Sequence, residues 1–303
     1  MFPASSFPKL DDLSLDERVL VFRSICTKYG VDIITRKQPI TKNDLKRKPQ
    51  VQFLYINATS EYFPRSIVIP EQDDKCTIVK DSTGKIELIP LDFIYPSFLP
   101  EILISTTQYV IKYFWNPVYS MFSAGNITEK ERIANFDCED EVIVDLYAGI
   151  GYFVLPYLIH AKAKYVHACE WNTYAVAALK KNLVANKVDK KCSVYEGDNK
   201  DALKYFENCA NRVNLGLLPT SKDGYEIAIK ALNQNGGWLH VHENVAVEDV
   251  KQFGETVVLE LTNLLKSHKS ACNYALNIEH TEIVKNYAPK VVHVVYDIKI
   301  NKE

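Results

Sequence analysis

The sequence predicts an α/β fold whose larger part is a doubly wound, mostly parallel, seven-stranded sheet ending in a hairpin, preceded by a smaller amino-terminal α/β domain. Three observations predict it. From Glu141 onward, short β-branched runs alternate with stretches of helical spacing, as right-handed βαβ units require. The runs are largely apolar, which suits strands covered on both faces. The last two, "NYALNIEH" and "KVVHVVYDIKI", are separated only by "TEIVKNYAP". Pro289 discourages a crossover helix there, so the pair closes the sheet as a hairpin.

In chain order, the first element is an amphipathic helix, "LDERVLVFRSICTKYG", with Ser14 as its capping residue and Gly30 as its stop. A basic stretch follows, then the strand-like runs "QVQFLYI" and "RSIVIP". Pro90, Pro96 and Pro100 punctuate "LIPLDFIYPSFLPEIL" as a linker or docking segment. Residues 1–112 are read as an amino-terminal domain and linker, and 113–303 as the ligand-binding domain. There the strands are "EVIVDLYAG", "YVHACEW", "CSVYEGD", "RVNLGLLP", "GGWLHVHENV" and the hairpin pair. Between the second and third lies "TYAVAALKKNLVANK", where Ala175, Leu179, Leu183 and Asn186 recur at helical spacing. Seven strands in this order are the arrangement of a class I methyltransferase-like Rossmann fold.

Apolar residues make up 47% of the 303 and charged residues 24%, the balance of a soluble globular protein. A net charge of −2 excludes a generally basic, nucleic-acid-coating surface but allows a local patch. Arg36, Lys37, Lys42, Lys46, Arg47 and Lys48 crowd one segment with Asp44 as the only acid; this is either a solvated loop or a contact for a phosphate backbone. The seven cysteines are scattered, without a CxxC pair, so neither a zinc site nor a disulfide framework is expected. No run approaches the roughly 18 apolar residues of a membrane span, and a cytoplasmic location is the expectation.

In "VDLYAGIGYF", Asp145, Gly149 and Gly151 stand at the carboxyl end of the first sheet strand, where open α/β sheets bind ligands. Glycines there let backbone N–H groups approach a ligand, although a plain tight turn reads the same. Glu170 ends the next strand 19 residues beyond Gly151, near the spacing of about 20 at which a carboxylate reaches a ribose diol. Asp198 and Asn199 close the third strand with groups suited to the amine and ring nitrogens of adenine. There is no third glycine, and Tyr152 and Phe153 are bulky, which disfavours a pyrophosphate. An adenosine ligand without phosphates follows, with S-adenosylmethionine as the cofactor. Tyr147, Tyr152 and Trp171 stack on a ligand or pack in the core. His240 and His242 point to one face of the fifth strand; no third ligand is spaced to make a metal site with them, so His242 lines a pocket or packs.

The segments "MFSAGNITEKERI" (Met121 to Ile133), "VDLYAGIGYFVLPYLIHA", "VHACEWN", "GDN", "NLGLLPTS", "HVHENV" and "KNYAPKVVHVVYDI" resemble, in that order, the eukaryotic tRNA wybutosine-synthesising aminocarboxypropyltransferases, relatives of the tRNA guanine-37 methyltransferase. The resemblance runs from Tyr113 to the carboxyl terminus. It implies transfer of the 3-amino-3-carboxypropyl group of S-adenosylmethionine to a tricyclic guanosine derivative, 4-demethylwyosine, at position 37 in the anticodon loop of phenylalanine tRNA, with release of methylthioadenosine. It implies cofactor contacts at Ser123, Lys130, Glu170, Asp198 and Asn199, with Lys130 on the methionine carboxylate. Ala124-Gly125-Asn126 stands where the methyltransferase branch carries an arginine, and "NLGLLPTS" replaces its shorter "NLP"; both departures favour the aminocarboxypropyl branch. Asn126, Asn214, Pro219 and His242 are then expected on the acceptor side, where Asn214 and Pro219, which flank the end of the fourth strand, either meet the acceptor base or form a structural turn, and the amino-terminal domain is a candidate for tRNA docking. An electron-rich ring carbon as nucleophile needs no strong general base, and none is assigned. Two alternatives stay open: the guanine-37 methyltransferase, and a catalytically silent RNA-binding protein of the same fold.

Overall fold

The computed structural model describes residues 13–29, the backbone of five strands between 33 and 90, and residues 103–303 apart from 118 and 270–271. The chain divides into two compact units, Met1–Leu103 with Asn116–Met121 and Ile104–Trp115 with Phe122–Glu303. The expected boundary at 112/113 falls inside a strand of the second unit.

The first unit opens with α1 (Leu15–Tyr29). Its start is a reciprocal capping box: the Glu17 N–H donates to Ser14 Oγ at 3.4 Å and the Ser14 N–H donates to Glu17 Oε2 at 2.8 Å. Phe22 and Cys26, one turn apart, are buried among its described side chains. Strands β1 (Ile33–Gln38), β2 (Gln50–Ile56), β3 (Ser66–Val68), β4 (Cys76–Lys80) and β5 (Ile86–Pro90) pair in chain order, each antiparallel to the next. Arg36 and Lys37 of the basic cluster lie on β1. Lys42, Lys46, Arg47 and Lys48 lie outside the described residues, as do Gly30 and most of the proline-punctuated segment.

The second unit begins with a hairpin of β6 (Ile104–Gln108) and β7 (Ile111–Trp115), followed by α2 (Ile127–Ala134). The sheet elements then alternate: β8 (Val142–Asp145), α3 (Val154–Ile159), β9 (Tyr165–Glu170), α4 (Thr173–Ala185), β10 (Cys192–Glu196), the short α5 (Asn199–Ala202), β11 (Arg212–Leu215), α6 (Tyr225–Ala231), β12 (Gly236–Ala246), α7 (Val250–His268), β13 (Tyr274–Ala288) and β14 (Val291–Lys302). Their spatial order is β10-β9-β8-β11-β12-β14-β13, parallel through β12 and antiparallel beyond it. Chain order reverses at β8, between β9 and β11, which makes the carboxyl end of β8 the topological switch point where such sheets bind ligands.

One expectation is corrected. "TEIVKNYAP" is not a separator, because all of it but Pro289 belongs to β13, and the hairpin turn is Pro289–Lys290 alone. β13 is the outer strand of the sheet, so its polar residues can face solvent without cost, and among Glu279–Ala288 only Val284 is buried.

The two sheet faces differ. One is apolar, with Val144, Val213, Leu239, Val241, Val294 and Ile298 packed among side chains of α6 and α7. On the other, Ile143, Val166 and Ala168 pack against α3 and α4. The same face continues over β11, β12 and β14 as Arg212, Asn214, His240, His242, His293 and Asp297, all buried. The β6–β7 hairpin is fixed by two asparagines of α4 that act as a partner strand would. Asn182 accepts from the Phe114 N–H at 2.6 Å and donates to the Phe114 carbonyl at 3.1 Å. One turn on, Asn186 makes the same pair of bonds with Lys112, at 3.0 and 2.8 Å.

Candidate cofactor and acceptor site

The turn after β8 is shaped by its glycines and held from three strands. Gly149 and Gly151 have φ of 56° and 98°, the left-handed region that glycine enters without a Cβ clash. A Cβ on Gly149 would also stand 2.6 Å from the Tyr152 ring. The Leu146 N–H donates to the Asn214 carbonyl of β11 at 3.1 Å, and the Ala148 N–H to the Cys169 carbonyl of β9 at 2.9 Å. Glu170 ties the turn to the next helix, with Oε2 accepting from the Gly149 N–H and Oε1 from the Asn172 N–H, each at 2.7 Å. Burial raises the Glu170 pKa, and these backbone bonds oppose the rise. The Trp171 N–H is a third backbone donor to this carboxylate, which keeps capacity for a further donor.

Asp145 is fully buried beneath the turn. Its Oδ1 accepts from the Tyr147 N–H at 3.2 Å and from Asn214 Nδ2 at 3.3 Å, while Oδ2 has no partner. Burial pushes its pKa up to about 7, against the pull of those bonds. At the end of β10, Asp198 caps α5 by accepting from the Lys200 N–H at 2.9 Å, and Asn199 Nδ2 donates to the Leu146 carbonyl at 3.3 Å. The Asn199 side chain also meets the Tyr147 hydroxyl, and Asp198 keeps one carboxylate oxygen. A Cβ on neighbouring Gly197 would meet nothing within 4 Å, so the strand end faces open space. Trp171 is half exposed, whereas Tyr152 packs inward.

Lys130 is not the exposed helix-start lysine that its position in "NITEK" would allow. It is 4% exposed. Its ammonium lies 4.8, 4.9 and 5.3 Å from the ring centres of Tyr113, Phe122 and Tyr152 and donates to Gln108 Oε1 at 2.9 Å. Desolvation alone lowers its pKa to about 8. A cation held by aromatic faces and one neutral acceptor is stabilised yet keeps its charge unmatched, as an anion site requires. Tyr152 links it to the turn, since the same ring abuts Gly149 and its hydroxyl is bonded by the Ser123 backbone. Ser123, Lys130, Gly149 and Glu170 are thus contiguous through one tyrosine.

Beyond Asn214, the polar sheet face carries a chain of charges. Arg132 of α2 binds Glu129 through two bonds at 2.8 and 2.7 Å and also binds Asp297. His240 joins Asp297 at 2.5 Å through Nδ1 and meets Arg212 at 2.9 Å through Nε2. Arginine only donates, so Nε2 accepts and the ring hydrogen is on Nδ1, directed at Asp297. Arg212 continues to Glu141 at 2.8 and 3.1 Å. Burial pushes Glu129 up to about 7 against Arg132, whereas hydrogen bonds from His240 and Arg132 overcome burial and hold Asp297 below the usual carboxylate range. His240 is therefore committed to structure.

The residues expected on the acceptor side fall near this face. Asn126 precedes α2 and is buried. Asn214 supports Asp145. Pro219 follows a cis peptide and its carbonyl accepts from the Asn244 N–H at 2.8 Å. His242 is 1% exposed and its ring centre lies 5.2 Å from that of Phe153 in the glycine turn. Glu243 ties the long loop after β11 to β12, its Oε1 accepting from Thr220 Oγ1, the Ser221 N–H and the Tyr225 hydroxyl. The sequence reading does not single out Asn244 or His293, which share this face. Asn244 was legible as the third polar residue in the alternation 240, 242, 244; His293 gave no local signal. Among the described residues no helix is long and apolar enough to cross a membrane, and no three His, Cys, Asp or Glu side chains group to hold a metal ion.

Comparison with known proteins agrees with this fold. The chain is 43% identical over 218 residues to a tRNA wybutosine-synthesizing protein 2 homolog of Danio rerio, which covers 62% of this chain and 53% of that protein. It spans about half of that relative's length, and 19% and 17% of the matching plant proteins. The crystal structure of M. jannaschii TYW2 in complex with AdoMet aligns with a TM-score of 0.60 at 28% identity, covering 72% of this chain and 91% of that one. The structure of P. horikoshii TYW2 in complex with MeSAdo aligns with a TM-score of 0.58 at 29% identity, covering 73% and 76%. The TRM5/TYW2 methyltransferase domain matches residues 106–270, more than half of the chain, and with the glycine turn, the strand-end carboxylates and the sheet order in place, the chain belongs to that family.

Proposed function

We propose that this chain transfers the 3-amino-3-carboxypropyl group of S-adenosylmethionine to a tricyclic guanosine derivative at position 37 in the anticodon loop of phenylalanine tRNA. The observation that carries the reading is the caged, unmatched cation of Lys130, joined through Tyr152 to the turn that Glu170 holds. The residues fit the cofactor. Glu170 keeps acceptor capacity for a ribose diol, Asp198 and Asn199 border the open space at Gly197 where adenine fits, and the glycines remove side chains between them. Lys130 and Ser123 hold the amino-acid end, and the unpartnered Asp145 Oδ2 suits a donor such as its ammonium.

When bound, the cofactor supplies a sulfonium whose three carbons are all open to displacement. Which carbon reacts is set by orientation. Lys130 and Ser123 fix the amino-acid arm relative to the turn, and so turn its γ carbon, not the methyl, toward the acceptor. The departed fragment then distinguishes the readings: loss of the aminocarboxypropyl arm leaves methylthioadenosine, whereas loss of methyl leaves S-adenosylhomocysteine. That P. horikoshii TYW2 is described with MeSAdo supports the first. Phosphate contacts belong, in this reading, to the cluster from Arg36 to Lys48, and a cytoplasmic setting to the scattered cysteines.

Hypomodified phenylalanine tRNA incubated with carboxyl-labelled or methyl-labelled cofactor tests the proposal. The carboxyl label enters the tRNA and methylthioadenosine is released. Methyl incorporation with S-adenosylhomocysteine would place the chain with the guanine-37 methyltransferases, and absence of cofactor binding by calorimetry would make it a silent RNA-binding protein.

A further inference from the structure

The polar sheet face holds a group of buried atoms that the cofactor reading leaves unused. His242 Nδ1 and His293 Nε2 lie 3.0 Å apart, and the far nitrogen of each ring, His242 Nε2 and His293 Nδ1, is buried without a partner. Both amide atoms of Asn244 and the amide oxygens of Asn126 and Asn214 are in the same state. They are neighbours. Asn244 sits across from His293 in the β12–β14 ladder, Lys285, across from His293 in β13–β14, reaches Gly125 beside Asn126, and Asn214 and Phe153 both crowd Gly216, at 3.2 and 3.1 Å from where its Cβ would stand. Phe153 closes the group on the side of the glycine turn, against His242. Buried polar atoms are nearly always paired, so this many orphans in one place mark a polar cluster with hydrogen-bonding capacity to spare for a ligand rich in hydrogen-bonding edges. A flipped-out purine-derived base is such a ligand.

We propose that the acceptor base docks against this cluster and that His242, backed by His293, receives the proton that the acceptor carbon sheds. The inference rests on the aminocarboxypropyl reading above. The two rings share one hydrogen bond, so when His242 Nδ1 donates to His293 Nε2, His242 Nε2 is a bare acceptor. In the transfer, a π pair of the acceptor ring forms the new bond to the γ carbon of the aminocarboxypropyl group. The bond from that carbon to sulfur breaks, and its electron pair leaves on sulfur as the neutral thioether. The acceptor ring is left cationic. Its C–H proton moves to His242 Nε2, the C–H pair returns to the ring, and the Nδ1 proton passes to His293 Nε2.

A ring cation of this kind is a strong acid, so a weak base suffices. Burial, joined by the charge of Arg132 at His242 and of Lys285 at His293, holds the His242 pKa well below the ordinary value and the His293 pKa at about 4, which keeps both rings neutral and ready to accept. The groups facing the pair are Lys285, His240 and Arg132, with Asp297 opposing them; their net effect favours prompt loss of the proton onward.

Glutamine at either histidine keeps a polar side chain of similar reach but accepts no proton near neutral pH. His242→Gln should bind methylthioadenosine and hypomodified phenylalanine tRNA as the parent does, yet lose about 100-fold in kcat. With tRNA deuterated at the acceptor carbon, it should show an isotope effect that the parent lacks, because proton removal becomes limiting. His293→Gln should show the same isotope effect with a smaller loss, and it serves as the test should His242→Gln fail to fold. A His242→Gln variant with parental kcat, or a slow variant without the isotope effect, overturns the histidine proposal alone. Release of S-adenosylhomocysteine by the parent protein overturns both it and the transfer reading.

Discussion

Replacing Glu170 by glutamine separates its two possible duties. Both carboxylate oxygens accept a backbone N–H at 2.7 Å, from Gly149 and from Asn172. Glutamine retains one oxygen and sets an NH2 against the other donor, so one bond to an ionised acceptor is lost and a buried N–H is left facing a donor. Such a bond is worth about 1.5–3 kcal/mol, and the variant should lose stability by about that much. If the remaining lone pairs also hold the ribose diol, cofactor affinity falls in addition by about 10- to 150-fold, the same energy expressed as a binding ratio. Urea unfolding measures the first quantity and calorimetry with S-adenosylmethionine and with methylthioadenosine the second. Because both ligands carry the ribose, both should weaken equally. A variant that is destabilised but binds within about threefold of the parent would show that Glu170 only staples the turn, and the ribose assignment would fall.

Lys130→Met keeps an apolar stem among Tyr113, Phe122 and Tyr152 and removes the cation; S-adenosylmethionine should bind about 10-fold or more weakly and methylthioadenosine, which lacks the carboxylate, as before, whereas equal weakening by calorimetry refutes the clamp. Asp145 titrates up to about 7 in the folded state because it is buried, above its unfolded value of about 3.9; its contribution to stability is therefore full below the unfolded value and lost as pH rises through about 7. Asp145→Asn should accordingly gain in Tm relative to the parent on going from about pH 5 to about pH 8, and parallel Tm profiles would contradict this. Asn182→Ala removes three hydrogen bonds that tie the Phe114 and Ile150 backbone to α4; a loss of about 2–4 kcal/mol in urea unfolding is expected, and a loss below about 1 kcal/mol would mean that the hairpin is held by its apolar contacts instead.

Part of the candidate site could be proposed from the sequence because each signal is local. A glycine permitted at φ of 56° or 98° and an acid at a strand end need only neighbours in sequence. The hairpin separator was misjudged because "TEIVKNYAP" alternates polar and apolar residues in a way that serves an outer strand as well as a loop, and only its place at the sheet edge distinguishes the two. Lys130 illustrates the same limit, since nothing in "NITEK" reveals that Tyr113, Phe122 and Tyr152 enclose it.

By itself the sequence determined the succession of strands along the chain, the turn and the acids at or just beyond the ends of β9 and β10, because backbone conformation and strand periodicity are set within a few residues. The tertiary structure alone decided which side chains meet across the sheet: the caging of Lys130, the commitment of His240 to Asp297 and Arg212, and the pairing of His242 with His293 over 51 residues of chain. Those depend on register between distant strands and on burial. Both are fixed only when the whole sheet has closed, and the register then brings together polar atoms that no window of sequence contains.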